Sequence, residues 1–338
     1  METRELPTIA NVTELANLAG VSASTVSRAL AGNKMISADT RKRIEDLAEA
    51  HRFRPNQLAR NLRMGSSRAI GVVLPMGHEI GQHLTDPFFI TLIGELADAL
   101  TGRGHDLLLS RVIPHDDRWL DRLVASRRID GAIVVGQSNQ LEALDRVAER
   151  YLPLVVWGDP VVGKRHCVIG SDNFEGGRIA ALRLIAGGRT RLAFFGHPQT
   201  PEIGERWRGV QEVCADVQLR PPELLPVHLT ANEAYDMVAL RIASGREMPD
   251  GVIAASDVVA MGALRAVAEA GLRVPQDIGI IGYDDVAIAA HTTPPLTTVR
   301  QDVARGSELL VEHLFSRIAG ERTGSVTLAP KLIVRASD

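Results

Sequence analysis

Beyond Ser67 the chain alternates two kinds of hydrophobic pattern. Short runs are built around apolar residues: AIGVVLP (69–75), HDLLLSRV (105–112), GAIVVG (131–136) and LPLVVWG (152–158). Between them lie longer segments with apolar residues every three or four positions, such as FFITLIGELADALTGRG (88–104) and RWLDRLVASRR (118–128). The same texture returns in RLAFFG (191–196), LLPVHL (224–229), GVIAAS (251–256) and DIGIIGYD (277–284). Strands apolar on both sides, each followed by a helix, predict parallel sheets covered on both faces, an α/β fold. Two such sets predict two doubly wound lobes with a boundary near Ser171.

The first seventy residues read differently. TELANLAGVSASTVSRALA (13–31) predicts two short helices joined by a tight turn at Gly20, with Ala16, Ala19, Val21, Val26 and Leu30 as the packing positions. Gly20 permits a positive φ, and Ser22 can accept an N–H bond as cap of the second helix. On that helix Ala23, Ser24, Thr25, Ser27 and Arg28 are small or hydrogen-bonding, which suits a helix entering a DNA major groove. An ordinary pair of amphipathic helices fits the same pattern. The segment SADTRKRIEDLAEAHRFRPN (37–56) predicts a third helix, capped by Ser37 and striped by Ile44, Leu47 and Ala48. A basic tail, RPNQLARNLRMGSS (54–67), then sets Arg54, Arg60 and Arg63 around Leu58 and Leu62.

Composition sharpens this division. With 338 residues and 45% hydrophobic content there is room for more than one domain and a substantial core. The net charge is −3, but residues 1–68 hold eleven Lys/Arg against seven acids, a balance of +4 that leaves −7 on the rest. A basic head on an acidic body suits a phosphate-binding module carried by a body that DNA repels. Cys167 and Cys214 are too few for a disulfide framework and read as reduced, structural residues. The start METRELPTIANVTEL has no apolar core segment, and no run of about 18 apolar residues occurs, so a cytoplasmic protein is expected.

Several chemistries are discounted. His78, Glu79 and His83 resemble a zinc-protease motif only superficially, because the histidines are five apart in a glycine-containing loop. No G-x-G-x-x-G follows the first strand, and neither a P-loop nor a G-x-S-x-G elbow is present. No cofactor, no metal and no enzyme activity are expected.

Ligands of open α/β sheets lie beyond the carboxyl ends of strands, so candidate contacts follow those ends. Asp86, Phe88 and Phe89 stand where a helix begins after the first strand, and Trp157 ends the fourth. Asp172 and Asn173 follow CVIGS, and Arg206 lies on the helix after RLAFFG. Ser256 and Asp257 end GVIAAS, and Asp284 ends DIGIIGYD. Aromatic faces with carboxylates and a guanidinium are the usual inventory for a sugar. For Asn173 and Asp257, helix capping is the more usual role of such a residue at such a position.

Together VSASTVSRAL, SADTRKRI and RPNQLARNLR resemble the lac repressor (LacI/GalR) family of transcription regulators, and the likeness runs from about Thr13 to the C-terminus. It implies a helix-turn-helix domain over 12–55, a hinge helix and linker over 56–68, and a periplasmic-binding-protein-like core over 69–338. In that core the chain crosses between lobes three times. Lobe one is then about 69–170 with 301–328, and lobe two about 171–300 with 329–338. The resemblance places Ala23, Ser24 and Arg28 at base-reading positions, and Arg28 can be bidentate to guanine. Ser22, Thr25, Ser27 and Asn33 are phosphate contacts in this reading. Asn56 to Arg63 resembles a hinge helix that folds on operator DNA, with Leu62 wedged into the minor groove and Arg63 beside it. Arg206 and Asp284 match the family's effector-contacting residues, and Trp157 falls at a pocket position. Ser256 stands where the repressor that names the family has asparagine, which leaves the ligand open.

The resemblance therefore implies a homodimeric repressor of carbohydrate genes that leaves a palindromic operator when a sugar binds. Without a leucine-heptad tail, a dimer rather than a tetramer is expected. The alternative on the same fold is a corepressor-dependent regulator responding to a purine or a phosphoprotein. A periplasmic sugar-binding protein would need a signal peptide and no basic head, and a sugar-processing enzyme would need a paired acid and base.

Overall fold

The computed structural model describes residues 9–33, 35–53, 66–77 and 81–338. They fall into two compact units, Met1–Ser67 and Arg68–Asp338.

The first unit has three helices: α1 (Val12–Ala19), α2 (Ala23–Leu30) and α3 (Ala38–Ala50). Each begins at a side-chain cap, supplied by Asn11, Ser22 and Ser37. Glu14 closes the first cap reciprocally: its N–H donates to Asn11 Oδ1 while its carboxylate accepts from the Ala10 N–H. This is the logic of a capping box, placed one residue ahead of the segment read from sequence. Gly20 ends α1 at φ 63°, and its N–H returns to the α1 carbonyls. The core is built from Leu15, Ala16, Ala19, Val26, Ala29, Ile44, Ala48 and Phe53. Four alanines among these allow the short helices to cross closely.

The second unit holds two six-stranded sheets. In lobe one the order is β11 (Val326–Leu328), β5 (Cys167–Ser171), β4 (Leu154–Trp157), β3 (Gly131–Val135), β1 (Ala69–Pro75) and β2 (Asp106–Val112), all parallel. In lobe two it is β12 (Lys331–Ile333), β10 (Thr297–Arg300), β9 (Gly279–Asp284), β8 (Gly251–Ala254), β6 (Leu192–Phe195) and β7 (Glu223–Leu225), with only β12 antiparallel. The chain crosses between the sheets after Ser171, after Arg300 and after Leu328. The strand-and-helix pattern gives the two lobes, but only the pairing of β11 with β5 and β12 with β10 reveals the crossings. β2 is an edge strand with alternating exposure rather than the buried run its sequence suggests.

Helices cover both faces of each sheet. Lobe one carries α4 (Pro87–Thr101), α5 (Trp119–Ala125), α6 (Leu141–Ala148) and α11 (Val303–Ile318). Lobe two carries α7 (Asn173–Ala186), α8 (Pro201–Asp216), α9 (Ala231–Ala243) and α10 (Asp257–Glu269). The contact between α7 and α8 is unusually close. A Cβ at Gly177 would lie 2.0 Å from the Arg206 carbonyl oxygen, and one at Gly209 would lie 2.2 Å from that of Phe174. Backbone cannot yield there as a flexible side chain can. Gly177→Ala should therefore destabilise the protein by about 1–3 kcal/mol, read as a lower urea midpoint at unchanged slope; an unaltered midpoint would show that α8 shifts without cost.

Candidate functional site

The carboxyl ends of the two sheets face one another across a cavity with about 750 Å³ of atom-free space, part of it continuous with solvent. Lobe one supplies Asp86, Phe88, Phe89 and Trp157 to its walls, and lobe two supplies Arg206, Ser256 and Asp284. With Asn173 of lobe two, these are eight of the ten residues singled out from strand ends. Asp172 and Asp257 are not among the lining residues. Asp172 caps α7, accepting the Glu175 N–H at 2.8 Å. Asp257 is 0% exposed and ties strand β10 to the segment that follows β9, accepting the Thr298 hydroxyl at 2.5 Å and the Val286 N–H at 2.9 Å. Ser256, not Asp257, is the cap of α10.

Asp86 is fixed because it caps α4, accepting the Phe88 N–H at 2.9 Å, while Gln82 donates to its other oxygen at 3.0 Å. That cap aims the following Phe88 at Phe89 and Trp157, with ring centroids 5.8 and 6.1 Å apart. Trp157 in turn rests on Gly306, where a Cβ would meet its ring at 2.2 Å.

Arg206 is only 6% exposed. Its Nε donates to Asn173 Oδ1 at 2.8 Å and its Nη1 to the Ala255 carbonyl at 2.5 Å. The guanidinium lies 3.6 Å from the centroid of the Tyr283 ring. Asp284 ends β9 at φ 115°, a strained backbone for a non-glycine residue. Gln301 Nε2 donates to it at 2.7 Å. Burial pushes the Asp284 carboxyl well above the usual range, against the pull of Arg206, with Asp257 and Asp86 adding to the rise. Burial likewise raises Asp86, opposed by its bonds to Gln82 and Phe88. The cavity thus holds carboxyls that favour a proton or a hydrogen-bonding ligand over open solvent.

Gln82, Ser138, Thr200, Glu202 and Gln301 also line the cavity and were not read from sequence. Gln301 sits at the second lobe crossing, which periodicity cannot show. Thr200 and Glu202 start α8 in a Thr-Pro-Glu sequence that carries a cap signal but no ligand signal.

In the first unit, Ser22, Ser24, Ser27 and Arg28 are exposed, Ala23, Thr25 and Asn33 are half-buried, and Val26 and Ala29 face the core. The Ser22 hydroxyl caps the helix and lies 2.9 Å from both Ser24 Oγ and Thr25 Oγ1. Asn33 accepts the Met35 N–H at 2.9 Å, bracing the turn after α2. Asn56, Leu62 and Arg63, like His78 and Glu79, lie outside the described residues. Among the described residues no group of three metal-ligating side chains and no membrane-length apolar helix occurs. Cys167 and Cys214 are both free and buried.

A chain that carries both a helix-turn-helix unit and a two-lobed, ligand-sized cleft has the parts of a ligand-responsive DNA-binding regulator. Residues 11–56 match the bacterial regulatory proteins of the lacI family, and residues 181–337 match the periplasmic binding protein-like domain. The HTH-type transcriptional repressor PurR of Mannheimia succiniciproducens is 27% identical, over 97% of this chain and 98% of its own. A solved transcriptional regulator CelR–cellobiose complex is 27% identical with a TM-score of 0.70, covering 98% of this chain and 100% of that one. The lac repressor dimer bound to operator and the anti-inducer ONPF shares the fold at 23% identity, with a TM-score of 0.84 over 98% of this chain and 99% of that one. The chain thus joins a lacI-family DNA-binding domain to a periplasmic binding protein-like domain, and over nearly its whole length it is similar to DNA-binding transcriptional repressors.

Asp257 provides a stability test separate from the cavity. Burial, with Asp285 adding to it, pushes its carboxyl up to about 7 against the bonds from Thr298 and Val286. A carboxyl raised on folding favours the folded state at low pH, and that contribution is lost as pH rises through about 7. Between pH 5 and pH 8 the wild type should lose about 2 kcal/mol relative to Asp257→Asn. Parallel unfolding curves of the two proteins at both pH values would refute this if their difference stayed constant.

Proposed function

We propose that the protein represses carbohydrate-utilisation genes as a homodimer on a palindromic operator and leaves the DNA when a sugar enters the cleft. The observation that carries the reading is the division of the cavity. Lobe one brings the Phe88 and Trp157 rings with Asp86, and lobe two brings Arg206, Ser256 and Asp284. Rings cover the C–H face of a pyranose while carboxyls and guanidinium bind its hydroxyls, so one sugar engages both lobes and biases their angle. The cellobiose complex of the CelR regulator supports this ligand class. Ile90 on α4, 56% exposed, and Leu109 on edge strand β2, 40% exposed, give lobe one apolar surface for a second copy.

On DNA, Arg28 reads a base, with the short Ala23 and Ser24 adding few direct contacts, while Ser22, Thr25, Ser27 and Asn33 hold phosphate. A hinge helix as short as Asn56 to Arg63 is unstable alone in water and forms when two copies pack on the operator. The effector then acts by changing lobe angle and so the spacing of the paired hinges.

The second reading is a purine corepressor. The PurR name of the relatives favours it, and the same aromatic wall stacks a base as well as a sugar. Thermal shift against mono- and disaccharides, sugar phosphates and nucleobases separates the two. Binding to the folded state alone adds about 2.7 kcal/mol at a hundredfold excess over Kd. A rise with one free sugar supports the carbohydrate reading; a rise with a nucleobase alone replaces it by the corepressor reading.

Two substitutions test the parts. Asp284→Ala should remove the ligand response while leaving operator affinity and folding intact; a variant that still responds normally moves the effector site elsewhere. Leu62→Ala should weaken operator binding at unchanged ligand affinity, measured by fluorescence anisotropy on a labelled duplex. Undiminished operator affinity would sink the wedge assignment.

A further inference from the structure

At the wall of the same cavity the two lobes also touch one another directly. Glu202, in the first turn of α8, reaches across to lobe one. Its Oε1 accepts the Gln137 main-chain N–H at 3.2 Å and lies 3.4 Å from Gln137 Nε2. Lobe one makes room with a glycine: a Cβ at Gly158 would sit 2.7 Å from that same oxygen. Gln137 is 0% exposed and its amide is fixed, Oε1 against His166 Nε2 at 2.8 Å and Nε2 donating to the Asp159 carbonyl at 2.6 Å. It therefore presents only donors to lobe two.

The adjacent residue of lobe one, Asp159, makes the second link. Its carboxylate accepts from Asn173 Nδ2 at 2.8 Å, and the Oδ1 of the same Asn173 holds Arg206. Glu202 and Asp159 thus face one another's lobes within one small region. Closing the lobes brings two carboxyls together and strips water from one of them, while Arg208 is paired with Glu205 and Arg206 is turned to Asn173 and Ala255.

We propose that Glu202 and Asp159 form a proton-dependent clasp between the lobes, closed when Asp159 carries a proton and loosened when it does not. In this closed arrangement burial, with Glu202 and Glu205 adding to it, pushes Asp159 up to about 6 against its bonds from Asn173. Opened, the group regains water and loses the charges of lobe two, returning toward the ordinary carboxylate value of about 3.9. Closure therefore takes up a proton. It is favoured at low pH and lost as pH rises through about 6, so the closed-to-open ratio should grow about tenfold from pH 7 to pH 5. The titratable and charged groups facing Asp159 are Glu202, Glu205, Arg206 and Arg208 on α8 and Tyr283 on β9. Behind Gln137 stands His166, which burial holds below its usual value and which lies 3.8 Å from Asp145.

The clasp itself needs no ligand; its effect on ligand retention rests on the proposed effector cleft. The test accordingly uses the ligand-free full chain. Nitroxide labels go on cysteines introduced at exposed Val162 of lobe one and Gln199 of lobe two, the native cysteines being buried. Pulsed electron spin resonance then reads the interlobe distance. In wild type the short-distance population should rise about tenfold relative to the long one from pH 7 to pH 5. Asp159→Asn should hold the short distance at both pH values, and Glu202→Gln should move the midpoint to lower pH. A distribution independent of pH, or a pH response that survives Asp159→Asn, overturns the proposal. An unmoved midpoint in Glu202→Gln overturns the part given to Glu202. These outcomes are independent of whether any sugar binds, which the thermal-shift screen decides.

Discussion

The cleft depends on keeping one guanidinium inside lobe two. A buried cation is costly unless its hydrogen-bonding capacity is met. Arg206 meets it largely with neutral groups: the Asn173 amide, the Ala255 carbonyl and the face of Tyr283. That arrangement exists only because α7 and α8 lie close enough for Asn173 to reach. The close approach follows from a stripe of small residues on α7, namely Gly176, Gly177, Ala180 and Ala181. Gly177 admits the Arg206 backbone, and Gly176 admits the Tyr283 hydroxyl, which a Cβ would meet at 2.2 Å. Two glycines in a helix interior cost conformational entropy, on the order of 1 kcal/mol each relative to alanine. Here that cost is set against the seating of both the guanidinium and the ring beneath it.

Using neutral partners leaves the charge of Arg206 available to the cavity. A direct ion pair with Asp284 would have quenched both groups. Instead Asp284 is held by the Gln301 amide, and burial favours its protonated form. The result is a polar pocket whose groups are oriented but not mutually satisfied, the condition under which a hydroxyl-rich or heterocyclic ligand gains most from entering. Asp257 shows the contrast. The same residue type, in the same strand-end neighbourhood, has both oxygens engaged by Thr298 and Val286 and has become a brace.

How much of this was legible depends on which interactions are local in sequence. Helix caps and the Gly20 turn are local, and the first unit reads out almost element by element. Strand-end positions are nearly local, which is why Asp86, Trp157, Arg206 and Asp284 could be found. Whether a strand-end carboxylate faces the cleft or turns to the protein depends on half a turn of backbone: Asp172 caps a helix and Asp257 braces Thr298 and Val286. Glu202 and Gln301 were invisible for a different reason. Each matters through a partner in a distant segment, 65 residues away for Glu202 and Gln137 and 17 for Gln301 and Asp284. The edge position of β2 is likewise a property of strand order, which hydrophobic runs do not encode.

Those long-range partners are where occupancy can become motion. Arg206 is held by Asn173, two residues past the first crossing of the chain between lobes, and Asp284 by Gln301, at the second. A ligand hydroxyl that bonds to Asp284 shares the carboxyl with the Gln301 amide, and one that draws on Arg206 loads Asn173. Both pulls would be delivered to the short connections between the lobes rather than to the interiors of packed sheets. Packed interiors resist small displacements, whereas a few residues at an element boundary absorb them by backbone rotation. The two polar anchors of the cleft are therefore joined to the chain crossings between the lobes, without any specialised pathway between them.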